Sequence, residues 1–211
     1  MTTFGGIILC GGKSTRMGMD KASLPFGDET MLARVARLLG EVVSPLVVVA
    51  ARDQPLPPIA VAHRIERDQR ESRGPLEGLA AGLAALEGAV DAAYVTSCDV
   101  PLLVPAFVRH LTELLEDFDI VVPQEEKFHH PLAAVYRTNV LATVNSLLAE
   151  DRLRPRFLFD ECRTREVAVD DLRTIDPELS TLANLNARED YLAALQEAGI
   201  PMSEEVRRHW G

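Results

Sequence analysis

Cysteine, long apolar runs and excess positive charge are all scarce in this 211-residue sequence. The three cysteines (Cys10, Cys98 and Cys162) are far apart and form no C-x-x-C pair, which is unlike a disulfide framework or a zinc site and indicates a reducing compartment. The longest apolar stretches have the length of a strand, well below the ~20 residues that span a bilayer. No secretory signal pattern opens the sequence. We therefore expect a cytoplasmic protein without a membrane segment.

The charge balance restricts the partners of the chain further. A formal net charge of -10 provides no general basic face for a phosphate backbone, so we do not expect a nucleic-acid binder. A small anionic ligand is still compatible with this charge, because a few local Arg and Lys residues can outweigh the global balance. The sequence contains no linker, repeat or low-complexity tract, and we expect one domain over residues 1–211.

Short apolar runs alternate along the chain with longer segments of helical periodicity. Strands are predicted at residues 7–9, 46–49, 59–65, 92–96, 119–122 and 132–136, and helices at 28–39, 75–88, 105–115, 139–149 and 187–198. This alternation predicts a single Rossmann-like, three-layer α/β/α domain with a mostly parallel sheet. Ligands of such sheets bind beyond the carboxyl ends of the strands, so we expect functional residues in the segments that follow strands.

The segment after the first strand reads C-G-G-K-S-T-R-M-G-M-D-K over residues 10–21. Three glycines within eight residues let the backbone turn sharply and present N–H groups to an anion, and Arg16 and Lys21 add two cations. The Gly-Lys-Ser at 12–14 resembles the end of a P-loop, but a P-loop needs glycine at the position that Ile7 occupies. The pattern therefore favours a triphosphate site and excludes a P-loop GTPase.

Two carboxylates follow other predicted strands. Asp99, just after the strand at 92–96, is placed to hold Mg²⁺, a hard cation that takes oxygen ligands. The alternative role for Asp99 is a turn or helix cap before Pro101. Asp68 follows the third predicted strand, although residues 66–71 also resemble a solvated run of charges.

The pattern L-x-G-G-x-S-x-R-M-G-x-D-K-A-x-L, from Leu9 to Leu24, resembles the signature loop of the MobA-like nucleotidyltransferases. Within that family it is most similar to the molybdenum cofactor guanylyltransferases. The C-D-x-P at 98–101 resembles the metal-binding segment of the family, and the G-P-L-x-G at 74–78 resembles a helix start found in it. The resemblance implies transfer of GMP from GTP to the terminal phosphate of molybdenum-molybdopterin, with Mg²⁺ as cofactor and release of pyrophosphate.

The resemblance also implies roles for individual residues. Arg16, Lys21 and Asp99 would be catalytic, with Asp99 as the metal ligand. The implied nucleotide-binding residues are Leu9, Cys10, Gly11, Gly12, Lys21, Asp68 and Asp99. The nucleotide-binding part would cover about residues 1–105 and the acceptor-binding part about 106–200.

The acceptor side is defined by weaker motifs, H-H-P-L at 129–132 and N-L-N at 184–186. They suggest His130, Asn184 and Asn186 as contacts of the acceptor or, for Asn186, of the metal. The alternatives are a histidine in a surface loop and asparagines that cap a helix. The three arginines between residues 152 and 156 could contact the acceptor or form a solvated face. A partner protein that delivers or receives the cofactor is compatible with either arrangement.

One departure from the family concerns the nucleobase. The family often has an Asn after its second strand, whereas Ala50, Ala51 and Arg52 follow Val49 here, which leaves the preference for GTP over CTP open. A related nucleotidyltransferase with CTP or another phosphorylated acceptor is therefore an alternative. A non-catalytic nucleotide-binding module is a second alternative, which the presence of Arg16, Lys21 and Asp99 disfavours.

Overall fold

The fold is that of a computed structural model, which describes residues 2–11, 18–68 and 74–210. The strands are Phe4–Leu9 (β1), Pro25–Phe26 (β2), Glu29–Thr30 (β3), Leu46–Ala51 (β4), His63–Asp68 (β5), Ala92–Ser97 (β6), Ile120–Glu125 (β7), Phe128–His129 (β8), Ala134–Arg137 (β9) and Thr164–Ala168 (β10). The α-helices are Met31–Gly40 (α1), Pro75–Leu86 (α2), Pro105–Glu113 (α3), Leu141–Ala149 (α4), Arg156–Glu161 (α5), Val169–Leu172 (α6), Arg188–Glu197 (α7) and Glu204–Trp210 (α8). Short 3₁₀ turns occupy Lys21–Ser23, Thr138–Val140 and Ser180–Leu182.

One central sheet organises the molecule. Its strand order is β10-β7-β9-β6-β1-β4-β5, and β8 pairs with β7. Strands β6, β1, β4 and β5 are parallel to one another, and β10 is parallel to β7. Strand β9 runs antiparallel to both of its neighbours. The predicted mostly parallel sheet is therefore confirmed, with β9 as the inserted antiparallel strand.

Helices cover both faces of the sheet, as the continuous apolar strands require. One face packs against α1 and α3 through residues such as Val35, Leu39 and Phe107. The other face packs against α2, α4 and α5 through residues such as Leu83 and Leu147. Helix α2 lies so near β1 that a Cβ added to Gly82 would be 2.6 Å from a methyl carbon of Ile7, which only glycine avoids. The three-layer α/β/α prediction is confirmed.

Two predicted boundaries were wrong for identifiable reasons. The helix predicted from residue 28 begins at Met31, because Glu29 and Thr30 pair with β2 and the Thr30 hydroxyl caps the helix by accepting from the Ala33 N–H at 3.2 Å. The strand predicted at 59–65 lies instead at His63–Asp68. His63 pairs with Leu46, the first residue of β4. The residues before His63 therefore lie beyond the start of β4 and have no strand to pair with there.

A third apolar cluster joins the β2–β3 hairpin to the two carboxy-terminal helices. The rings of Phe26, Tyr191 and Trp210 pack edge to face in series, with centroids 6.3 Å and 5.3 Å apart. The helix predicted at 187–198 corresponds to α7, and the sequence patterns missed β2, β3, β8, β10, α5, α6 and α8. Over the described ranges, no helix is both long enough and apolar enough to span a membrane.

Candidate functional site

A cleft of about 810 Å³ opens where the parallel strands β1, β4, β5 and β6 end. This is the sheet edge at which the sequence predicts ligand binding. Its lining includes Leu9, Cys10, Gly11, Asp20, Lys21, Ala51, Asp53, Gln54, Asp68, Gly74, Pro75, Ser97, Cys98, Asp99, Leu132 and Asn184. Residues from widely separated parts of the chain thus share one concave surface.

Lys21 and Asp99 form an ion pair inside this cleft. Lys21 begins a 3₁₀ turn at the end of the signature loop, and its Nζ donates to Asp99 Oδ2 at 2.7 Å. Asp99 follows β6, and its other oxygen accepts from the Ser97 hydroxyl at 2.5 Å. The two charged side chains are only 17% and 12% exposed. Helix α3 has no side-chain cap, so Asp99 does not serve as the helix cap that the sequence left open.

Asn186 completes this cluster from the other end of the chain. Lys21 Nζ donates to Asn186 Oδ1 at 3.0 Å, and Asn184 lines the same cleft. The N-cap of the helix that follows is Ala187, and the Asp190 carboxylate in its first turn accepts from the backbone N–H groups of Asn186 and Ala187. Neither asparagine is therefore needed as a cap, and the Asn186 side chain is directed to Lys21.

The residues predicted for the nucleotide on β1 also reach the cleft. The Cys10 N–H donates to the Val49 carbonyl at 2.8 Å, which extends the pairing of β1 with β4 up to the start of the loop. Among the residues that the structure describes, which leave out 12–17, no atom lies within 4 Å of a Cβ built on Gly11, so the packing of the described residues does not account for this glycine. Gly12 and Arg16 lie outside the described residues.

Two thiols lie side by side on the floor of the cleft. Because Leu9 pairs with Ser97, the next residues, Cys10 and Cys98, are neighbours on adjacent strands, and both are buried. A hydrogen-bonding contact with the Cys98 thiol, together with burial, raises the pKa of Cys10 well above its ordinary value. A thiol in this state is a poor nucleophile, so Cys10 contributes packing to the floor of the cleft.

The wall built by β4 and β5 contains Asp68 together with two polar residues that the sequence patterns missed. Asp68 ends β5 and lines the cleft where it was predicted. Asp53 and Gln54 line the cleft just beyond Ala50 and Ala51, at the place where the family often has an Asn. The rule that ligands bind after strand ends could have identified both, since they follow β4 directly.

His129 and His130 turn to different surroundings. His129 Nε2 lies 2.7 Å from Glu166, and its ring packs against Phe159. His130 is half-buried, and burial lowers its pKa even though Glu125 lies 4.0 Å from its Nε2. His130 is not among the residues that line the cleft, although Leu132, two positions further on, is.

The predicted arginine cluster lies beside the start of α2. The Leu153 carbonyl is 3.8 Å from a Cβ built on Gly74, which lines the cleft. Arg152 itself pairs with Glu161 at 2.5 Å and with Glu150 at 3.3 Å, and these contacts raise the pKa of its guanidinium. This pairing is typical of a solvated face.

Comparison with known proteins adds a family to this geometry. Residues 6–166 match the family described as the MobA-like NTP transferase domain. The chain is 36% identical over 196 residues to a probable molybdenum cofactor guanylyltransferase of Mycobacterium avium (strain 104), which covers 90% of this chain and 94% of that protein.

Two solved structures are similar to this fold at low sequence identity. Molybdopterin-guanine dinucleotide biosynthesis protein A from Archaeoglobus fulgidus has a TM-score of 0.76 at 18% identity, covering 92% of this chain and 98% of its own. The 2-C-methyl-D-erythritol 4-phosphate cytidylyltransferase from Thermus thermophilus has a TM-score of 0.68 at 13% identity, covering 95% of this chain and 100% of its own. Proteins named for different substrates therefore share this fold.

Proposed function

This chain belongs to the MobA-like NTP transferase family and is a nucleotidyltransferase, and from that premise we propose that it transfers GMP from GTP to the terminal phosphate of molybdenum-molybdopterin. An oxygen of the acceptor phosphate would form a bond to the α-phosphorus of GTP. The bond from that phosphorus to the bridging oxygen would break, and pyrophosphate would leave. The similarity to a curated guanylyltransferase over nine-tenths of the chain supports this choice of substrates.

One observation carries the proposal: Lys21, Asp99 and Asn186 meet within hydrogen-bonding distance in the cleft that also contains Gly11. These residues are separated by up to 165 positions in the sequence, and the fold brings them to one point. A cation and a backbone turn suit the phosphates of a nucleoside triphosphate, and a carboxylate beside them would hold the metal ion that transfer from the triphosphate requires. The same convergence speaks against a module that merely binds, which would not need the carboxylate.

The chain's own residues would act by placing the substrates and neutralising charge. The acceptor phosphate is already an anionic nucleophile, so no general base is needed to activate it. Lys21 would offset the negative charge of the phosphates, and the backbone N–H of Gly11 would donate to them. Ser97 would hold Asp99 in a fixed rotamer through their 2.5 Å hydrogen bond. Catalysis of this kind depends on positioning more than on proton transfer.

Mg²⁺ fits the donor set around Asp99. The Asp99 carboxylate and the Asn186 amide oxygen are both hard oxygen donors, and both already attract the Lys21 ammonium group. Among the described residues there is no group of three or more His, Cys, Asp or Glu that could hold a metal. This suits Mg²⁺, which usually takes one or two carboxylates and completes its shell with water and phosphate. When bound, the ion would supply neutralisation of charge on the phosphate oxygens.

The guanine base would lie on the side of the cleft formed by β4 and β5. Asp99 and Lys21 occupy the β6 and β1 side, so a nucleotide with its phosphates there extends towards Asp53 and Asp68. The pairing edge of guanine presents N–H donors, which carboxylates accept, whereas cytosine offers fewer donors. We include GTP rather than CTP in the proposal on this ground and on the name of the relative.

The acceptor would enter from the side of Leu132 and Asn184, which line the opposite part of the cleft. His130 and the arginines around Leu153 flank this side and are proposed as weaker contacts of the acceptor. A protein partner could deliver the acceptor at this face.

A substrate panel tests the proposed function. The purified chain would be incubated with Mg²⁺ and each of GTP, CTP, ATP and UTP, with and without molybdopterin, and pyrophosphate release would be measured. We expect release with GTP and molybdopterin, and its loss when EDTA removes the metal. If CTP were the only nucleotide that gave pyrophosphate release, the chain would have a sister activity. The absence of release with every nucleotide would contradict the catalytic role.

A further inference from the structure

The signature loop, residues 10–21, is tied at its end to the opposite wall of the cleft by the side chain of Gln54. Gln54 Nε2 donates to Asp20 Oδ1 at 3.0 Å, across 34 positions of sequence. Asp20 immediately precedes Lys21, the cation of the cleft. The hydrogen bond therefore acts one residue away from the group that pairs with Asp99.

Gln54 is itself held firmly by the chain around it. Its Oε1 accepts from the Ala51 N–H at 3.3 Å, and its own N–H donates to the Ala51 carbonyl at 3.2 Å. Arg67, on β5, donates to the Gln54 carbonyl at 2.7 Å and to the Ala51 carbonyl at 3.0 Å. A side chain fixed in this way loses little further rotamer freedom when it binds a partner, so Gln54 is preorganised to hold Asp20.

The two oxygens of Asp20 serve different contacts. Oδ2 accepts from the Ser23 hydroxyl at 3.2 Å, which closes the turn that contains Lys21. Oδ1 accepts from Gln54 and joins that turn to the end of β4. Hydrogen bonds thus join Arg67 on β5 to Gln54 and Gln54 to Asp20, and the next residue in the chain, Lys21, pairs with Asp99 after β6.

We propose that Gln54 is a positioning residue for the nucleotide, which fixes the end of the signature loop, and Lys21 with it, against the wall formed after β4. This inference rests on the proposed function, in which the signature loop receives the triphosphate. Without the bond from Gln54, Asp20 and Lys21 would hold their binding arrangement for a smaller fraction of the time. The apparent Kd rises as the inverse of that fraction. Turnover at saturation should change little, because the bound nucleotide restores the arrangement.

Two substitutions test this role by equilibrium titration of GTP without acceptor. Gln54→Leu removes the donor at similar volume, and Gln54→Glu places a carboxylate against Asp20. We expect each to raise the Kd and the KM for GTP about tenfold, the size of a lost hydrogen bond to a charged group, with kcat within about twofold of wild type. Gln196→Leu, the same change at an exposed position on α7, is the matched control and should leave both constants unchanged.

A rescue variant separates positioning from a general loss of stability. In the double variant Asp20→Asn, Gln54→Glu, the amide at position 20 can donate to the carboxylate at position 54. The hydrogen bond is thus restored with its direction reversed, and the Kd should return towards that of the wild type. An unchanged Kd in both single variants, a lower kcat at unchanged Kd, or a double variant no better than Gln54→Glu would each overturn the inference. Since the titration needs no acceptor, a wild type that binds GTP but makes no product on molybdopterin would refute the proposed function and leave the test of Gln54 valid.

Discussion

We propose a nucleotide half over about residues 1–105 and an acceptor half over about residues 106–200, and around the cleft the described polar side chains of these two halves are held in different ways. In the nucleotide half, Lys21, Asp99 and Gln54 are largely enclosed and bonded to fixed partners across the cleft. In the acceptor half, ion pairs such as that of Arg165 with Glu116 are exposed, with side chains 32% and 65% accessible, as is the Arg37–Glu41 pair of the nucleotide half outside the cleft. Enclosed groups are preorganised for charge stabilisation, whereas exposed pairs are easily exchanged for new contacts. The difference indicates a rigid site for one substrate beside a more adaptable one.

Strand direction accounts for part of this contrast. In the nucleotide half the strands are parallel, so the residues that follow each of them gather at one edge. In the acceptor half β9 runs the other way, so its beginning, and not its end, lies at that edge. Leu132, which precedes β9, lines the cleft, while Arg137 at its end is bonded to the carbonyls of Glu116 and Phe118 on the far side.

Asp99→Asn should have the largest effect, because it removes the enclosed charge on which the nucleotide half is organised. We expect turnover to fall about 10²–10³-fold, the usual cost of losing one preorganised charge-stabilising contact. The fold should persist, since the amide occupies the same volume. Pyrophosphate release and thermal unfolding would be measured together, with Asp171→Asn, at an exposed position, as control. Near-normal turnover in Asp99→Asn would refute the metal assignment.

Asn186→Ala should have the next largest effect and sharpens the comparison, because Asn186 belongs to the acceptor half by sequence and to the nucleotide half by contact. Removing its hydrogen bond to the charged Lys21 should lower kcat/KM about 10- to 100-fold. The exposed Asn139→Ala serves as control. If only the KM for the acceptor changed, Asn186 would have a role in acceptor binding and none in nucleotide binding.

Much of the nucleotide half could be predicted because its chemistry follows strand ends and short motifs. Asp68 and Asp99 were located by the rule for parallel sheets, and Lys21 by the spacing of the signature loop. The same rule covers the position of Gln54 after β4, but not its bond to Asp20, 34 positions away, which no local pattern encodes. The Asn186 side chain was ambiguous for a related reason: only the fold shows that Ala187 is the N-cap and that the Asn186 side chain meets Lys21.

Elements of the acceptor half were harder to predict because they lack a strong pattern of their own. Strand β10 reads T-R-E-V-A with a single fully buried residue, Val167, so it has neither the alternation nor the apolar run of a typical strand. It is ordered by pairing with β7 along its whole length. Helices α5 and α6, of six and four residues, are too short for helical periodicity to be visible.

Asp53→Asn tests whether the β4–β5 wall selects the base. The amide would turn a donor towards the N–H edge of guanine, so kcat/KM for GTP should fall about five- to tenfold, the scale of a partly solvated hydrogen bond. The value for ATP should stay unchanged, because adenine presents a different set of donors and acceptors. Competition assays with the two nucleotides would measure the ratio. An equal loss for both would assign Asp53 a role in shaping the wall and none in selection.

His130→Gln should have the smallest effect, and it tests the acceptor half through the pH dependence of the protein's stability. Burial lowers the pKa of His130 below its ordinary 6.5, so the unfolded chain binds more protons than the folded one as the pH falls through that value. Stability contributed by the neutral ring is therefore present above this range and is lost on acidification. Unfolding temperatures from about pH 7.5 to about pH 5.5 should fall less steeply in His130→Gln than in the wild type, and the exposed His209→Gln should follow the wild type. If the unfolding temperature of His130→Gln fell with pH as steeply as that of the wild type, burial of the His130 ring would not contribute to the pH dependence of stability.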